Sequence, residues 1–275
     1  MPDWGMWDGG RVETTKDAAA STGSPSINAS ATVNVKGSWV QLIGATAFES
    51  SWVIVNIVAT STITRYMVDV GIGAAGAEQV LIANIITGGG STTVVGATFN
   101  LPLAIPAGSR IAVRSQAGSA SASTRAQIIL LQGGPNQPPP LGRCTTWGAV
   151  PATTRGAIIN TGATINTKGV WTEITASTEH AIRYLCLQVT HGGIVTAAGI
   201  HALVDVGIGP AGSEFSIFPD TYWYFSTASD AFITPPICLP VNIPAGVRLA
   251  ARGQGSLGNT TATDSQYDVI LIGVG

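Results

Sequence analysis

Residues 68–73 read Val-Asp-Val-Gly-Ile-Gly, and the same six residues recur at positions 204–209. In both places the chain continues as x-Ala-Gly-x-Glu, which ends at Glu78 in the first copy and at Glu214 in the second. Self-similarity at a fixed spacing is typical of repeated structural units. The stretch therefore predicts two tandem copies of one domain.

Two further segments repeat and show how far each copy extends. Lys-Gly-Ser-Trp, ending at Trp39, returns as Lys-Gly-Val-Trp, ending at Trp171, and Leu-Pro-x-x-Ile-Pro-Ala-Gly-x-Arg at residues 101–110 returns at 239–248. The three repeated segments are offset by 132, 136 and 138 residues. The copies thus differ by small insertions, which are expected in loops.

Between the copies, residues 133–140 read Gly-Gly-Pro-Asn-Gln-Pro-Pro-Pro. Proline fixes φ and lacks an amide donor, so this segment predicts a semi-rigid, extended spacer. The predicted organisation is an N-terminal arm at 1–20, a first domain at 21–133, a Pro-rich linker at 134–142 and a second domain at 143–275.

The apolar residues of each copy come in short runs rich in Val, Ile and Thr, for example residues 52–58 and 127–131. Gly, Pro, Ser and Asn bound these runs, which predicts β-strands. No window of a dozen residues keeps a helical period. We therefore predict an all-β protein of two tandem antiparallel β-sandwich domains of jelly-roll type. The repeated Ile-Pro-Ala-Gly-x-Arg predicts a turn that leads into the next strand.

Only 10% of the residues are charged and 45% are hydrophobic, with a net charge of −2. So few charges favour a surface that meets other protein, and we expect a homo-oligomer or a larger assembly. The alternative is a monomer whose surface is coated with Ser and Thr. No basic patch indicates a nucleic-acid partner. The first residues lack the pattern of a signal peptide and no run reaches 18 apolar residues, so we expect no membrane partner and synthesis in the cytoplasm.

The three cysteines, Cys144, Cys186 and Cys238, all belong to the second copy. A disulfide framework shared by both copies is therefore excluded. We expect buried free thiols instead.

The motif G-x-G-x-x-G occurs at residues 71–76 and 207–212. Dinucleotide binding through this motif needs a long helix directly after it, and neither copy offers one. A bulge or a tight turn between strands is the better interpretation, and we predict no cofactor.

The histidines His180, His191 and His201 are ten or eleven residues apart, which does not match the spacing of zinc ligands. We predict no metal site. Asp205 lies four residues after His201, so the two could share one face of a strand, but this spacing alone makes no catalytic dyad.

The only duplicated carboxylates that could act as a glycosidase pair are Asp69 with Glu78 and Asp205 with Glu214. We favour another role for the aspartates, in which the carboxylate accepts hydrogen bonds from the backbone of a neighbouring turn. No G-x-S-x-G motif is present either. We predict no catalytic residues and no enzyme.

The second copy alone has four consecutive aromatic residues, Tyr222, Trp223, Tyr224 and Phe225. Successive side chains of a strand point to opposite faces, so these four cannot all face one core. Some of them are predicted to contact solvent, the other domain or a partner. A platform for a sugar and an anchor for a protein both fit this composition.

Trp4 and Trp7 lie in the glycine-containing segment that precedes the repeats. An arm that docks its aromatic residues on a neighbouring subunit would have this composition. A segment folded back on its own domain explains it equally well.

The combination of Val-Asp-Val-Gly-Ile-Gly with Leu-Pro-x-x-Ile-Pro-Ala-Gly-x-Arg in doubled β-domains resembles structural proteins of tailed-bacteriophage virions. The resemblance covers residues 36–132 and 168–273 and carries no catalytic residue. It implies a non-enzymatic virion component located in the virion, either a capsid decoration or cement protein or a tail, neck or fibre subunit. Its expected partners are other virion proteins. The alternative is a carbohydrate-binding module that recognises a host glycan, and a glycan hydrolase comes third.

Overall fold

A computed structural model describes most of the chain. The described residues are 10–15, 25–59, 64–89, 96–133, 141–191, 200–225, 235–257 and 266–275. Trp4 and Trp7 lie outside these ranges, as do residues 134–140 of the spacer.

The described residues form 18 β-strands, nine in each copy, and one short 3₁₀ turn, Pro151–Thr153. The first copy contains β1 (Arg11–Thr14), β2 (Ser26–Asn28), β3 (Val40–Ile43), β4 (Trp52–Ala59), β5 (Thr64–Ile72), β6 (Gln79–Gly89), β7 (Gly96–Leu101), β8 (Ile111–Ala117) and β9 (Ser123–Gln132). The second contains β10 (Cys144–Trp147), β11 (Ala157–Asn160), β12 (Thr172–Thr175), β13 (Ile182–His191), β14 (Ile200–Ile208), β15 (Phe215–Phe225), β16 (Ile237–Ile243), β17 (Leu249–Gly255) and β18 (Gln266–Val274).

Each copy arranges its strands in two antiparallel sheets. In the first copy one sheet has the order β1-β9-β4-β7, with β2 also paired to β9, and the other has the order β3-β8-β5-β6. The second copy has β10-β18-β13-β16, with β11 also on β18, and β12-β17-β14-β15. This is the jelly-roll order of two facing sheets. The predicted all-β sandwich fold is confirmed, and β1 lies within the segment predicted as an arm.

The repeated glycine motif is a turn inside an antiparallel hairpin, as the sequence predicted. β5 and β6 pair on either side of it, and so do β14 and β15 in the second copy. Gly73 and Gly76 have φ values of 119° and 80°, which favour glycine. The motif therefore connects two strands and does not precede a helix.

The outer face of the β3-β8-β5-β6 sheet is covered by the second copy. Thr146 on β10 donates a hydrogen bond to the Ala83 carbonyl at 2.6 Å, and the Gln188 side chain on β13 donates one to the Ile86 carbonyl at 2.7 Å. Cys186 and Ile270 of the second copy belong to the same apolar cluster as the first copy's core. The two copies therefore share a continuous hydrophobic core.

A buried ion pair lies within this contact. Arg65 on β5 approaches the Asp268 carboxylate of β18 at 3.4 Å, and Arg155 approaches the same carboxylate at 3.1 Å. Burial raises the pKa of Asp268 above its ordinary value, although the hydrogen bond from Arg155 and the charges of both arginines favour the ionised form. Asp268 thus carries a charge away from water and depends on these two partners.

The prediction of free thiols is wrong for two of the three cysteines. Cys186 and Cys238 lie directly opposite each other where β13 pairs with β16, and they form a disulfide. They are 52 residues apart in sequence, so only the register of the sheet reveals that they meet. Cys144 is free, and burial raises the pKa of its thiol to about 12.

Among the described residues, no helix has the length and apolar character that crossing a membrane requires.

Replacing Asp268 by Ala should lower the free energy of unfolding by about 3–5 kcal/mol, because Arg65 would stay buried without its carboxylate. The control is Glu179→Ala, which breaks the exposed pair with Arg143 and should cost about 1 kcal/mol or less. Urea unfolding of the full chain at neutral pH measures both. Equal losses would contradict a role for the buried pair.

Candidate functional site

Strand β15 places its four consecutive aromatic side chains alternately inside and outside the second sandwich. Trp223 is 3% exposed and Phe225 stacks on Tyr267 in the core, whereas Tyr222 is 58% and Tyr224 is 44% exposed. This alternation is the one that the sequence predicted. Since Trp223 and Phe225 present little surface, contact with a ligand or partner stays a prediction for Tyr222 and Tyr224.

His201 lies beside both exposed tyrosines. The Tyr222 hydroxyl and His201 Nδ1 share a hydrogen bond of 2.6 Å, and the His201 and Tyr224 ring centres are 4.9 Å apart. His201 faces these residues because β14 pairs directly with β15, with His201 opposite Tyr224. The three rings form one continuous exposed surface on the outer face of the sheet.

A pocket of about 250 Å³ adjoins this surface. Its lining consists of Asn166, His201, Ala202, Leu203, Tyr222, Gln254 and Gly255. Asn166 adopts a left-handed conformation with φ of 60°, and its backbone amide donates to the Gly255 carbonyl at 3.0 Å. Within the described part of the chain, the side-chain amides of Asn166 and Gln254 have no hydrogen-bond partner. Both remain available to a ligand.

The first copy has an equivalent of this pocket. The repeat offsets align Asn34 with Asn166 and Gln116 with Gln254, and they align Arg65 with His201. The strand pairing aligns Ile86 with Tyr222 and Gly88 with Tyr224, because these residues lie opposite equivalent positions of β5 and β14.

The turn after β10 fills the pocket of the first copy. The Gln116 side-chain amide donates to the Pro151 carbonyl at 2.6 Å and to the Thr154 hydroxyl at 2.9 Å. The Thr154 hydroxyl in turn donates to Asn34 Oδ1 at 2.8 Å. The same pair of amides thus binds protein in the first copy, whereas no described residue binds it in the second.

The duplicated aspartates anchor the sheet. Asp205 accepts hydrogen bonds from the Asp220 backbone amide at 2.8 Å, from Lys168 at 2.6 Å and from Arg252 at 2.9 Å. The Arg252 guanidinium also lies 4.4 Å from the centre of the Trp171 ring. The aspartate accepts a backbone amide hydrogen bond, as predicted, but the amide lies within β15 and not in a turn: Asp220 has a φ of 50° where the pairing of β14 with β15 shifts register.

The first copy repeats this arrangement. Asp69 accepts hydrogen bonds from the Asn84 backbone amide, from Lys36 and from Arg114. A network present in both copies serves the fold that both copies share.

The duplicated glutamates are engaged in the same way. Arg110 binds Glu78 and Arg248 binds Glu214, each at 2.8 Å. The carboxylate pairs considered from the sequence are therefore committed to arginine partners at strand ends.

His180 is not among the residues that line the pocket. His180 Nε2 and the Thr145 hydroxyl are 3.1 Å apart, and the His180 ring lies near Trp147. The side chain of His191 lies outside the described residues. Among the described residues, no group of three or more His, Cys, Asp or Glu could hold a metal ion.

Six of the seven lining residues were not predicted as site residues: Asn166, His201, Ala202, Leu203, Gln254 and Gly255. Their contribution depends on the register of β14 with β17, which brings Leu203 opposite Gln254. One signal was available, since Asn and Gln recur at equivalent positions of the two copies.

No protein family and no curated protein sequence matches the chain. The solved structure of PNGF-II is similar over 96% of this chain and 65% of that chain, with 9% identity and a TM-score of 0.47, so the chain spans less than two thirds of PNGF-II. PNGase F, a glycosylasparaginase from Flavobacterium meningosepticum, is similar over 98% of this chain and 96% of that chain, with 9% identity and a TM-score of 0.44. A structure of infectious bursal disease virus, Gt strain, is similar over 100% of this chain and 74% of that chain, with 11% identity and a TM-score of 0.29.

These similarities correct the prediction of a non-enzymatic virion subunit. The two matches with the higher TM-scores include a glycosylasparaginase, and none of the three is described as a bacteriophage protein. The turn and strand motifs behind the prediction belong to a fold that hosts many functions. The expectation that the chain is not an enzyme is withdrawn on the same finding. At 9–11% identity, the similarities concern the sandwich fold and assign no role to any residue here.

Asp205→Asn should destabilise the chain at neutral pH, and the loss should shrink in acid. Burial opposes ionisation of Asp205, but the hydrogen bonds from Lys168, the Asp220 amide and Arg252 outweigh it and hold the pKa below 3.8. The ionised carboxylate therefore adds stability above pH 3.8, and this stability is lost as the pH falls through the lower pKa of the folded state.

Urea unfolding between pH 7 and pH 2.5 measures this dependence. Asp220→Asn is the matched control, because the first copy has Asn84 at that position and the backbone amide is kept. A loss for Asp205→Asn that stays constant over this range would contradict the assigned role.

Proposed function

We propose that the chain binds carbohydrate through the pocket of the second copy and the rings beside it. The observation that carries this proposal is the difference between the copies. Tyr222 and Tyr224 are exposed near the Asn166 and Gln254 amides, which have no partner among the described residues, whereas the first copy has Ile86 and Gly88 buried at the equivalent positions.

The exposed rings and the two side-chain amides are chemically suited to a sugar ligand. Exposed aromatic rings offer an apolar face together with a polar edge, and a pyranose ring also has an apolar face and polar hydroxyls. Gln254 and Asn166 each supply both a donor and an acceptor to such hydroxyls. The pocket, at about 250 Å³, lies just below the usual range of about 300–1,000 Å³ for ligand pockets. One sugar unit inside the pocket, with neighbours along the tyrosines, fits this size.

The charge of the site favours a neutral ligand. No Lys, Arg, Asp or Glu is among the lining residues. An acidic sugar would bury its charge without a cationic partner here, which costs free energy. We therefore propose neutral glycans as the ligand class.

Tyr222→Ala and Tyr224→Ala should each weaken glycan binding by about tenfold, which corresponds to about 1.4 kcal/mol. The reason is the loss of ring surface on which the sugar packs. A glycan array identifies a neutral ligand, and isothermal titration calorimetry then gives the affinities of the variants.

Phe215→Ala is the control, because Phe215 is an exposed aromatic residue on the same strand but outside the pocket. It should leave the affinity unchanged. Absence of any glycan binding, or equal losses in all three variants, would overturn the proposal.

A further inference from the structure

We infer that the pocket of the second copy selects a sugar that carries an acetamido group next to a free hydroxyl. This inference rests on the proposed carbohydrate function and names the class of sugar. It comes from the contacts that fill the equivalent pocket of the first copy.

The filled pocket shows which groups its two amides bind. One carbonyl, from Pro151, and one hydroxyl, from Thr154, both accept from the Gln116 amide nitrogen, at 2.6 and 2.9 Å. The hydroxyl is fixed a second time because it donates to Asn34 at 2.8 Å. The pocket therefore binds a carbonyl oxygen and a hydroxyl side by side.

The second copy presents the same two amides from the same backbone positions. Asn34 and Asn166 both have φ of 60°, and their backbone amides donate to the carbonyls of Ala117 and Gly255. Gln254 lies opposite Leu203 in the sheet as Gln116 lies opposite Met67. The second copy thus offers the same donors and acceptors as the first, and no described residue binds them.

A 2-acetamido sugar supplies both groups on neighbouring ring carbons. Its amide carbonyl accepts from Gln254, and the adjacent hydroxyl accepts from Gln254 and donates to Asn166. The acetamido methyl group and the apolar ring face pack on Leu203 and Tyr222, which line the same pocket. A sugar with only hydroxyls would leave the carbonyl position of Gln254 with a weaker partner.

A protein turn is a poorer match for the second pocket than for the first. Closure of the first pocket is accompanied by the buried pair of Arg65 with Asp268, and the second copy has His201 in place of that arginine. Tyr222 and Tyr224 further replace Ile86 and Gly88, so aromatic rings stand where the first copy packs against protein. These three replacements make the second pocket better suited to a sugar than to a protein turn such as the one that fills the first pocket.

The test compares matched trisaccharides of N-acetylglucosamine and of glucose, both β-1,4-linked, by calorimetry on the full chain. The N-acetylated sugar should bind at least tenfold more tightly. Gln254→Glu, which keeps the side-chain shape but removes the donor, and Asn166→Ala should abolish that preference. Gln79→Ala, at an exposed position of β6, is the control and should keep it.

The possible results distinguish a failure of the acetamido inference from a failure of the proposed carbohydrate binding. Equal affinity for both trisaccharides, or a preference that survives Gln254→Glu, overturns the acetamido inference and leaves carbohydrate binding in place. Binding of neither trisaccharide, together with a negative array of neutral glycans, overturns the proposed function itself. Tighter binding of a Pro-Ala-Thr-Thr peptide than of either sugar overturns both in favour of a protein ligand.

Discussion

The two sandwiches pack against each other through a surface that contains the buried ion pair of Arg65 with Asp268. The difference between the two pockets depends on this packing. The ion pair lies where one sheet of the first sandwich meets one sheet of the second, beside the hydrogen bonds of Gln116 with Pro151 and Thr154. A charge away from water is tolerated only where its partners are held in place. The pair therefore requires that Arg65 and Arg155 both face Asp268, which they do in this packing of the two copies.

Duplication gives the chain two equivalent outer faces, and the contact can cover only one of them. In the first copy this outer face packs against the second copy. Ile86 is buried there, and the Asn34 and Gln116 side chains form hydrogen bonds with the turn of the second copy. In the second copy no described residue covers the Asn166 and Gln254 amides, and Tyr222 takes the place of Ile86. The duplicated Asp and Arg networks hold both sheets alike, so the difference in function is confined to the few positions that the copies do not share.

The sequence predicted what local chemistry and repetition determine: the two copies, the strands, the glycine turns and the anchoring role of Asp205. It also predicted that residues 222–225 would alternate. It could not predict the Cys186–Cys238 disulfide, which depends on strand register across 52 residues. Nor could it predict that Asn166 and Gln254 line one pocket, because Asn166 lies in a turn that is held by a hydrogen bond to the distant Gly255 carbonyl. The virion prediction failed for another reason, since motifs of turns and strands describe a fold and carry no chemistry.

A crystal structure of the full chain soaked with the N-acetylglucosamine trisaccharide would show directly whether the pocket of the second copy binds this sugar. We expect a sugar unit in that pocket, with its acetamido carbonyl on Gln254, its neighbouring hydroxyl on Asn166 and its ring against Tyr222. The equivalent pocket of the first copy should remain filled by Thr154. A sugar bound elsewhere, or a second pocket closed by protein in the same way as the first, would contradict it.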